Sequence, residues 1–303
     1  VNHEIKCKCR RQERTVSLVR VKGLRVEGDY TLDFTPSARV VAKNIALTAF
    51  SYVCYSLFPN QASSTSGVTV TSLIFSKTAF LPHPSDDDRR AHDQRIQDSL
   101  GLHPLLLPLT ILKELPAFVN AGNPFPCIFA RIEESYRLIA IGAKRSYSIA
   151  LDLGTTNLAA HLYDNMAQTV VMSKSMENPQ IAFGSDIMTR MHSAMSTRAD
   201  EVYRSLITGI NSMIAMLCSE AGLELREIHA ITVAGNTVMT HFFLGLDIRT
   251  IPVDPYVPVV RTPGFFTAAE LKLNMNPEGV VYVFPNAGSY VGGDITAGIL
   301  ASG

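Results

Sequence analysis

Asp152, Gly154, Thr155, Thr156 and Asn157 lie in SIALDLGTTNLAAHLYD (148–164), between two apolar runs. A Gly-Thr-Thr turn presents backbone N–H groups and hydroxyls in one small concavity, and such a concavity suits phosphate oxygens. An aspartate at the end of the preceding strand, two residues before the glycine, can hold Mg²⁺ through water, because Mg²⁺ prefers oxygen ligands and keeps several waters. The alternative is an ordinary hairpin with a small polar turn. A second segment, NAGSYVGGDITA (286–297), follows the apolar run VVYVF. Gly292 and Gly293 make its turn and Asp294 opens a helix of small residues. There Asp294 can orient a water or a metal hydrate, or simply cap the helix. The third segment, ITVAGNTVMTHFFLG (231–245), takes a strand through Gly235-Asn236-Thr237 into a helix whose N-terminus can meet an anion or a backbone contact. His241, beside Phe242 and Phe243, reads as a structural residue rather than a ligand.

The elements that must position these residues are legible from residue 147 onward. Strands are expected at 148–153, 158–163 and 170–173, helices at 186–195 and 200–221, then a strand at 228–233, a helix at 237–244, a strand at 280–284 and a helix at 294–301. Val202, Leu206, Ile210, Met213, Ile214 and Leu217 recur at three- and four-residue spacing, which gives one apolar helix face, and Gly222 is a C-cap. Upstream, Ser85 is expected to cap a helix whose first turn carries Asp86, Asp87 and Asp88 and which stops at Gly101. A short helix fits 108–119, ended or kinked by Pro116. A hairpin follows, with its tip near Glu133-Glu134. Residues 1–80 are unassigned, with two short strands in 14–34 turning at Gly28-Asp29 and a small polar stretch at 61–67. Residues 81–145 form a small middle domain, and 146–303 the domain that carries the three motifs.

Composition narrows the function classes. The chain has 303 residues, 47% hydrophobic and 18% charged, with a formal net charge of zero. That is a globular composition without the overall charge of a nucleic-acid surface. Five cysteines, of which only Cys7 and Cys9 are close, make no disulfide framework, so a reducing cytoplasm is expected. Cys7-Lys-Cys9 lacks the second pair that a four-ligand metal site needs. The polar, basic start does not read as a signal peptide. The apolar stretch 45–58 is fourteen positions long, against the about 20 of a membrane span, so no membrane partner is expected.

The D-L-G-T-T motif and the β-β-β-α-β-α-β-α order resemble the first lobe of the actin-like (ribonuclease H-like) ATPase fold, which sugar kinases and actin share. The resemblance narrows. SIALDLGTTNLAAHLYD, ENPQIAFGSDIMTRMHSA, ITVAGNTVMTHFFLGLDIRTIPVDPYVP and FPNAGSYVGGDITAGILASG are together similar to the reductive activators of corrinoid enzymes, the ASKHA-domain ferredoxins. The resemblance is strong over 147–303 and weaker over 81–145, where PSDDDRRAHDQRIQDSLG and LTILKELPAF carry it. It implies ATP and Mg²⁺ as cofactors and a corrinoid protein or corrinoid-dependent methyltransferase as partner, with ATP hydrolysis coupled to returning Co(II) to Co(I). Asp152, Gly154, Thr155 and Thr156 match the first phosphate loop, flanked by Asn157. Asp294, with Gly292 and Gly293, matches the segment near the nucleotide. Asn178, Pro179, Gln180, Gly184 and Asp186 match a motif special to the family. They are expected, with Asn236, to contact the corrinoid protein or to line the cleft.

Two departures bear on activity. The plant-type C-x₄-C-x₂-C…C cluster pattern is not supplied by Cys7 and Cys9, so no [2Fe–2S] cluster is expected in this chain. The family's second phosphate loop would read like D-I-G-T-N-G-E, and the only D-x-G-T here is at 152–155. The sequence therefore reads as one lobe of a two-lobed ATPase plus the region before it, completed by another chain or by self-association. A non-catalytic module that docks on a corrinoid protein or on a full-length relative is the alternative. A small-molecule kinase of the same fold is disfavoured by the NPQ and GNTVMTH segments.

Overall fold

The computed structural model describes residues 6–9, 12–15 and 72–302, apart from Thr197 and Tyr290. The chain divides into two units, Val1–Ile45 and Ala46–Gly303. In the first, β1 (Lys6–Cys9) and β2 (Gln12–Thr15) form an antiparallel hairpin. Apart from residues 14 and 15, the two strands expected in 14–34 and their turn at Gly28-Asp29 lie outside the described residues, as do the apolar stretch 45–58 and the polar stretch 61–67.

Among its described residues the second unit contains two sheets. The smaller has the order β3 (Ile74–Ala79), β5 (Phe125–Ile132), β6 (Ser135–Ile141), β4 (Leu105–Leu106). Its β5–β6 hairpin turns at Glu133, whose φ of 51° places it in the left-handed region. Helices α1 (His92–Leu100) and α2 (Leu109–Ala121) cover it. Leu81, Ile96, Leu115, Phe129 and Leu138 lie in the apolar core between them. Edge strand β3 begins upstream of residue 81, where the middle domain was expected to start.

One local expectation is corrected here. The first helix begins at His92, not beside Ser85. Ser85 and Asp88 instead close a tight turn through reciprocal backbone bonds of 3.3 and 3.1 Å. The Asp88 carboxylate is held by Arg90 Nε at 2.7 Å and by Arg95 Nε at 3.2 Å rather than by a helix N-terminus. Pro116 is accommodated inside α2.

The larger sheet has the order β11 (Gly264–Thr267), β12 (Val280–Val283), β10 (Ile228–Gly235), β7 (Tyr147–Leu153), β8 (Asn157–Asp164), β9 (Thr169–Glu177). β7, β10 and β12 are parallel, while β8, β9 and β11 are antiparallel to their neighbours. A parallel centre must be covered on both faces, and β10 is buried at every position. On one face Ile149, Leu151, Leu153, Ile231 and Val233 pack against α3 (Ile187–Met195), α4 (Ala199–Ala221) and α5 (Thr237–Leu244). On the other, Ala150, Ala230 and Phe284 meet Ala297 of α6 (Gly293–Ser302) and Ile74, Ile128 and Ile139 of the small sheet. The expected strands and helices from 147 onward are present. β11 and the short 3-10 turns Pro179–Phe183 and Leu225–Glu227 are additional.

Candidate functional site

In an open sheet of this kind, ligands bind outside the carboxyl ends of the parallel strands. The carboxyl ends of β7, β10 and β12 carry the three motifs found in the sequence. Side chains alternate along β7. Asp152 thus falls on the face of Ala150 rather than that of Leu151 and Leu153, half-buried at the strand's end. Gly154 and Thr155 are half-buried, while Thr156 and Asn157 are exposed.

The first turn is gripped through its carbonyls. The Gly154 carbonyl accepts from Asn178 Nδ2 at 2.9 Å, the Thr155 carbonyl from Arg190 Nη2 at 2.9 Å and the Thr156 carbonyl from the Asn178 N–H at 2.8 Å. Among the described residues no acceptor meets the N–H groups of Gly154, Thr155 or Thr156. Successive backbone donors left open in a turn form an anion-binding concavity.

The second and third turns close on the first. Asn236 caps α5, accepting from the Met239 N–H at 2.9 Å, and its Nδ2 donates to Thr155 Oγ1 at 3.1 Å. Thr237 Oγ1 donates to the Gly288 carbonyl at 2.6 Å. Gly292 lies so close to the second turn that a Cβ there would stand 2.3 Å from Asn236 Cα and 2.5 Å from the Gly235 carbonyl oxygen. The Gly293 N–H donates to Asn286 Oδ1 at 3.0 Å. Asp294 opens α6 and its Oδ1 accepts from the Ile295 N–H at 2.8 Å. Burial raises the Asp294 carboxyl above its ordinary range, so a nearby cation or a proton is favoured there.

The NPQ segment is a brace behind the first turn. Asn178 and Gln180 are fully buried. Asn178 Oδ1 accepts from the Gln180 N–H at 2.9 Å, and Gln180 Nε2 donates to the Val202 carbonyl at 3.0 Å. Pro179 packs on Gly209 in the middle of α4, where a Cβ would come within 2.6 Å of its ring. Asp186 is the N-cap of α3, accepting from the Met188 and Thr189 N–H groups and from the Thr189 hydroxyl. Those bonds hold its carboxyl below the usual range. Asn178 and Gln180 have no exposed surface, and Asn178 meets the turn from behind. His241 is structural: its Nδ1–H donates to the Thr237 carbonyl at 2.7 Å and its Nε2 accepts from the Val259 N–H at 3.0 Å.

Arg190, Gly209 and Asn286 were missed from sequence. A signal existed for Arg190: with Ile187 and Ala194 it shares the inward stripe of α3, where a charged residue is unusual. Gly209 and Asn286 carry no comparable signal.

Residues 147–303 match a family model described as the RACo middle region. The corrinoid activation enzyme RamQ of Eubacterium limosum is 30% identical over 159 residues, covering 52% of this chain and 27% of that protein. A solved structure titled as a reductive activator for corrinoid, iron-sulfur protein aligns with a TM-score of 0.72 and 32% identity, over 82% of this chain and 41% of that one. The chain thus spans less than half the length of either relative.

Proposed function

This chain belongs to the RACo middle-region family and its larger domain has the actin-like ATPase fold; on that premise we propose that it forms the phosphate-holding half of an ATP site in a corrinoid activator. The observation that carries the reading is the first turn, where three carbonyls are tied inward and three consecutive N–H groups are left open among the described residues. The relatives are named as a corrinoid activation enzyme and a reductive activator for corrinoid, iron-sulfur protein, and the proposed role is the ATP-driven one-electron return of Co(II) to Co(I) in a corrinoid protein. The electron comes from a low-potential donor outside the described residues.

The residues fit a hydrated magnesium nucleotide. Among the described residues no three His, Cys, Asp or Glu gather into a metal cage. Mg²⁺ uses one or two carboxylates plus waters and phosphates, and Asp152 and Asp294 stand on the turns that would supply them. Bound Mg²⁺ would neutralise charge on the phosphates. The open amides of 154–156 and the Thr155 and Thr156 hydroxyls would orient phosphate oxygens, Asp152 would hold the hydrated metal, and Asp294 would accept a proton or orient the attacking water. Phosphoryl transfer also needs contacts from the opposite side and exclusion of water. A second lobe, wherever it is encoded, would close over these turns.

Calorimetric titration with Mg·ATP tests the reading, beside Asp152→Ala. The expected result is micromolar binding in the parent chain and none in the variant, with the circular dichroism of the two unchanged. Equal affinity in both removes Asp152 from the site. No binding by either removes a nucleotide site built from this lobe alone.

A further inference from the structure

Arg190 is the largest fully buried side chain described. Its guanidinium donates to the Thr155 carbonyl at 2.9 Å, the Gly184 carbonyl at 3.1 Å and Gln180 Oε1 at 3.3 Å, and approaches Met239 Sδ at 3.5 Å. Every one of these acceptors is neutral. Among the described residues no carboxylate forms an ion pair with Arg190, and its Nε has no partner. Neutral acceptors satisfy hydrogen bonds but leave the charge without a counter-ion in contact, the Asp186 carboxylate acting on it only from beyond ion-pair distance, and a buried charge so placed is costly. Burial accordingly weakens the hold on its proton, yet an arginine stays charged. A core built only for stability would place an apolar side chain here.

The position suggests what the charge is for. One peptide unit, that of Thr155, separates the guanidinium from the open amides of the first turn. A phosphate seated there would add the counter-charge that Asp186 supplies only from a distance, in a setting where water screens little. The planar fork also links elements that a lysine could not link together: the first turn, the Gln180–Gly184 bend and α5 through Met239. Because Asn236 at the start of α5 holds the Thr155 hydroxyl, Thr155 is fixed by its carbonyl from one side and by its hydroxyl from the other.

We propose that Arg190 is a positioning residue that shapes the first turn and supplies the fixed positive charge complementing a phosphate bound at its amides. This rests on the nucleotide reading above, and the experiment separates the two. Arg190→Lys and Arg190→Met are compared with the parent chain in three measurements: melting, hydrogen exchange without ligand of the Asn178 amide, which donates to the Thr156 carbonyl of the turn, and calorimetry with Mg·ATP and with inorganic tripolyphosphate. In Arg190→Met, the Asn178 amide is expected to exchange faster while the β5–β6 hairpin is unchanged, and both ligands to bind about tenfold to a hundredfold more weakly. Arg190→Lys keeps the charge and loses the fork, so its Asn178 amide exchanges fast but its affinity recovers part of the loss. That partial rescue is what a purely structural arginine would not give. If Arg190→Met does not fold, Arg190→Gln takes its place as the uncharged variant. Wild-type exchange in the uncharged variant overturns the proposal, whatever the ligands do, and so does equal ligand affinity in the parent and the uncharged variant. Fast exchange in the variant with no binding by the parent removes the nucleotide reading and the counter-charge role together, leaving Arg190 as a brace.

Discussion

The small sheet and the loop-bearing end of the large sheet are built from opposite materials. Beneath α1 and α2 the core is aliphatic and aromatic apart from the Cys127 thiol, and the buried Arg95 of that domain is paired with Asp88 at 3.2 Å. Around the three turns of the large sheet, Asn178, Gln180, Arg190, Thr237, Thr240, His241 and Asn286 are all buried. Burying polar groups stabilises nothing by itself, since each must recover the hydrogen bonds it gave up in water. Their concentration at one end of one sheet marks the place where backbone geometry must be held to a particular shape. Stability alone explains the first region and does not explain the second.

The two regions should differ most at their glycines. Gly292→Ala forces a Cβ against Asn236 Cα at 2.3 Å and the Gly235 oxygen at 2.5 Å, atoms of backbone that cannot rotate away. The second and third turns must part, at about 1–3 kcal/mol of stability. Mg·ATP binding measured by calorimetry is expected to vanish. The counterpart in the small domain is Gly101→Ala. There φ is +61° and nothing lies within 4 Å, so only the left-handed backbone is strained, by about 1–2 kcal/mol. Binding should be unchanged. Two glycine changes of similar cost in stability should therefore differ entirely in ligand affinity, and equal affinities would erase the distinction between the regions.

A smaller effect tests the opposite end of the large sheet. His229 is 1% exposed, and burial depresses its pKa from 6.5 to about 4. Ser146 Oγ accepts from Asn165 Nδ2 at 2.8 Å, so its proton goes to His229 Nδ1, 2.9 Å away, and the imidazole is neutral with hydrogen on Nε2. Because the folded value lies below the unfolded one, the unfolded chain binds more protons between them. The contribution is complete above pH 6.5 and is lost as pH falls toward 4. By pH 5 this amounts to roughly 2 kcal/mol. Urea melts of the parent and of His229→Asn at pH 7 and 5 should show the variant losing less over that interval. Parallel losses would place the acid sensitivity elsewhere.

Legibility in the sequence followed the same divide. Strands β7, β8 and β10 and helices α4 and α5 were readable because one period of apolar residues, or one unbroken apolar run, governs each. The three turns were readable because Gly, Thr, Asn and Asp are rare together between apolar runs. β11 was not, since GFFT packs half-buried at an edge and has no alternation to show. The helix expected from Ser85 failed because Asp88 had a stronger partner in Arg90 and Arg95 than a helix dipole offers. The brace was the hardest part. That Asn178 holds the carbonyl of Gly154, 24 positions away, and Arg190 that of Thr155, 35 positions away, depends on the folded path between them. No local pattern encodes it.

The smallest effects should come from charges that join or decorate the two regions. Glu278 clasps the small domain to the large one, with Oε2 at 2.5 Å from Arg137 Nη2 and Oε1 at 2.8 Å from Thr110 Oγ1. The pair is about four-fifths buried, at 21% and 17% side-chain exposure, so Glu278→Gln should cost about 1 kcal/mol. Arg89 and Asp86 form a pair of comparable length, 2.9 Å, but at 77% and 97% exposure. Water screens it and two long side chains must be ordered to hold it, so Arg89→Ala should shift urea stability by less than about 0.5 kcal/mol. Distance is nearly the same in the two pairs and burial differs. Raising the salt concentration should therefore erase what little Arg89 contributes and leave most of the Glu278 effect in place. An Arg89→Ala cost equal to that of Glu278→Gln would mean that the clasp between the domains carries no more than a surface pair. The small sheet would then be held to the large one by the shared apolar contacts of Ile74, Ile128 and Ile139 alone.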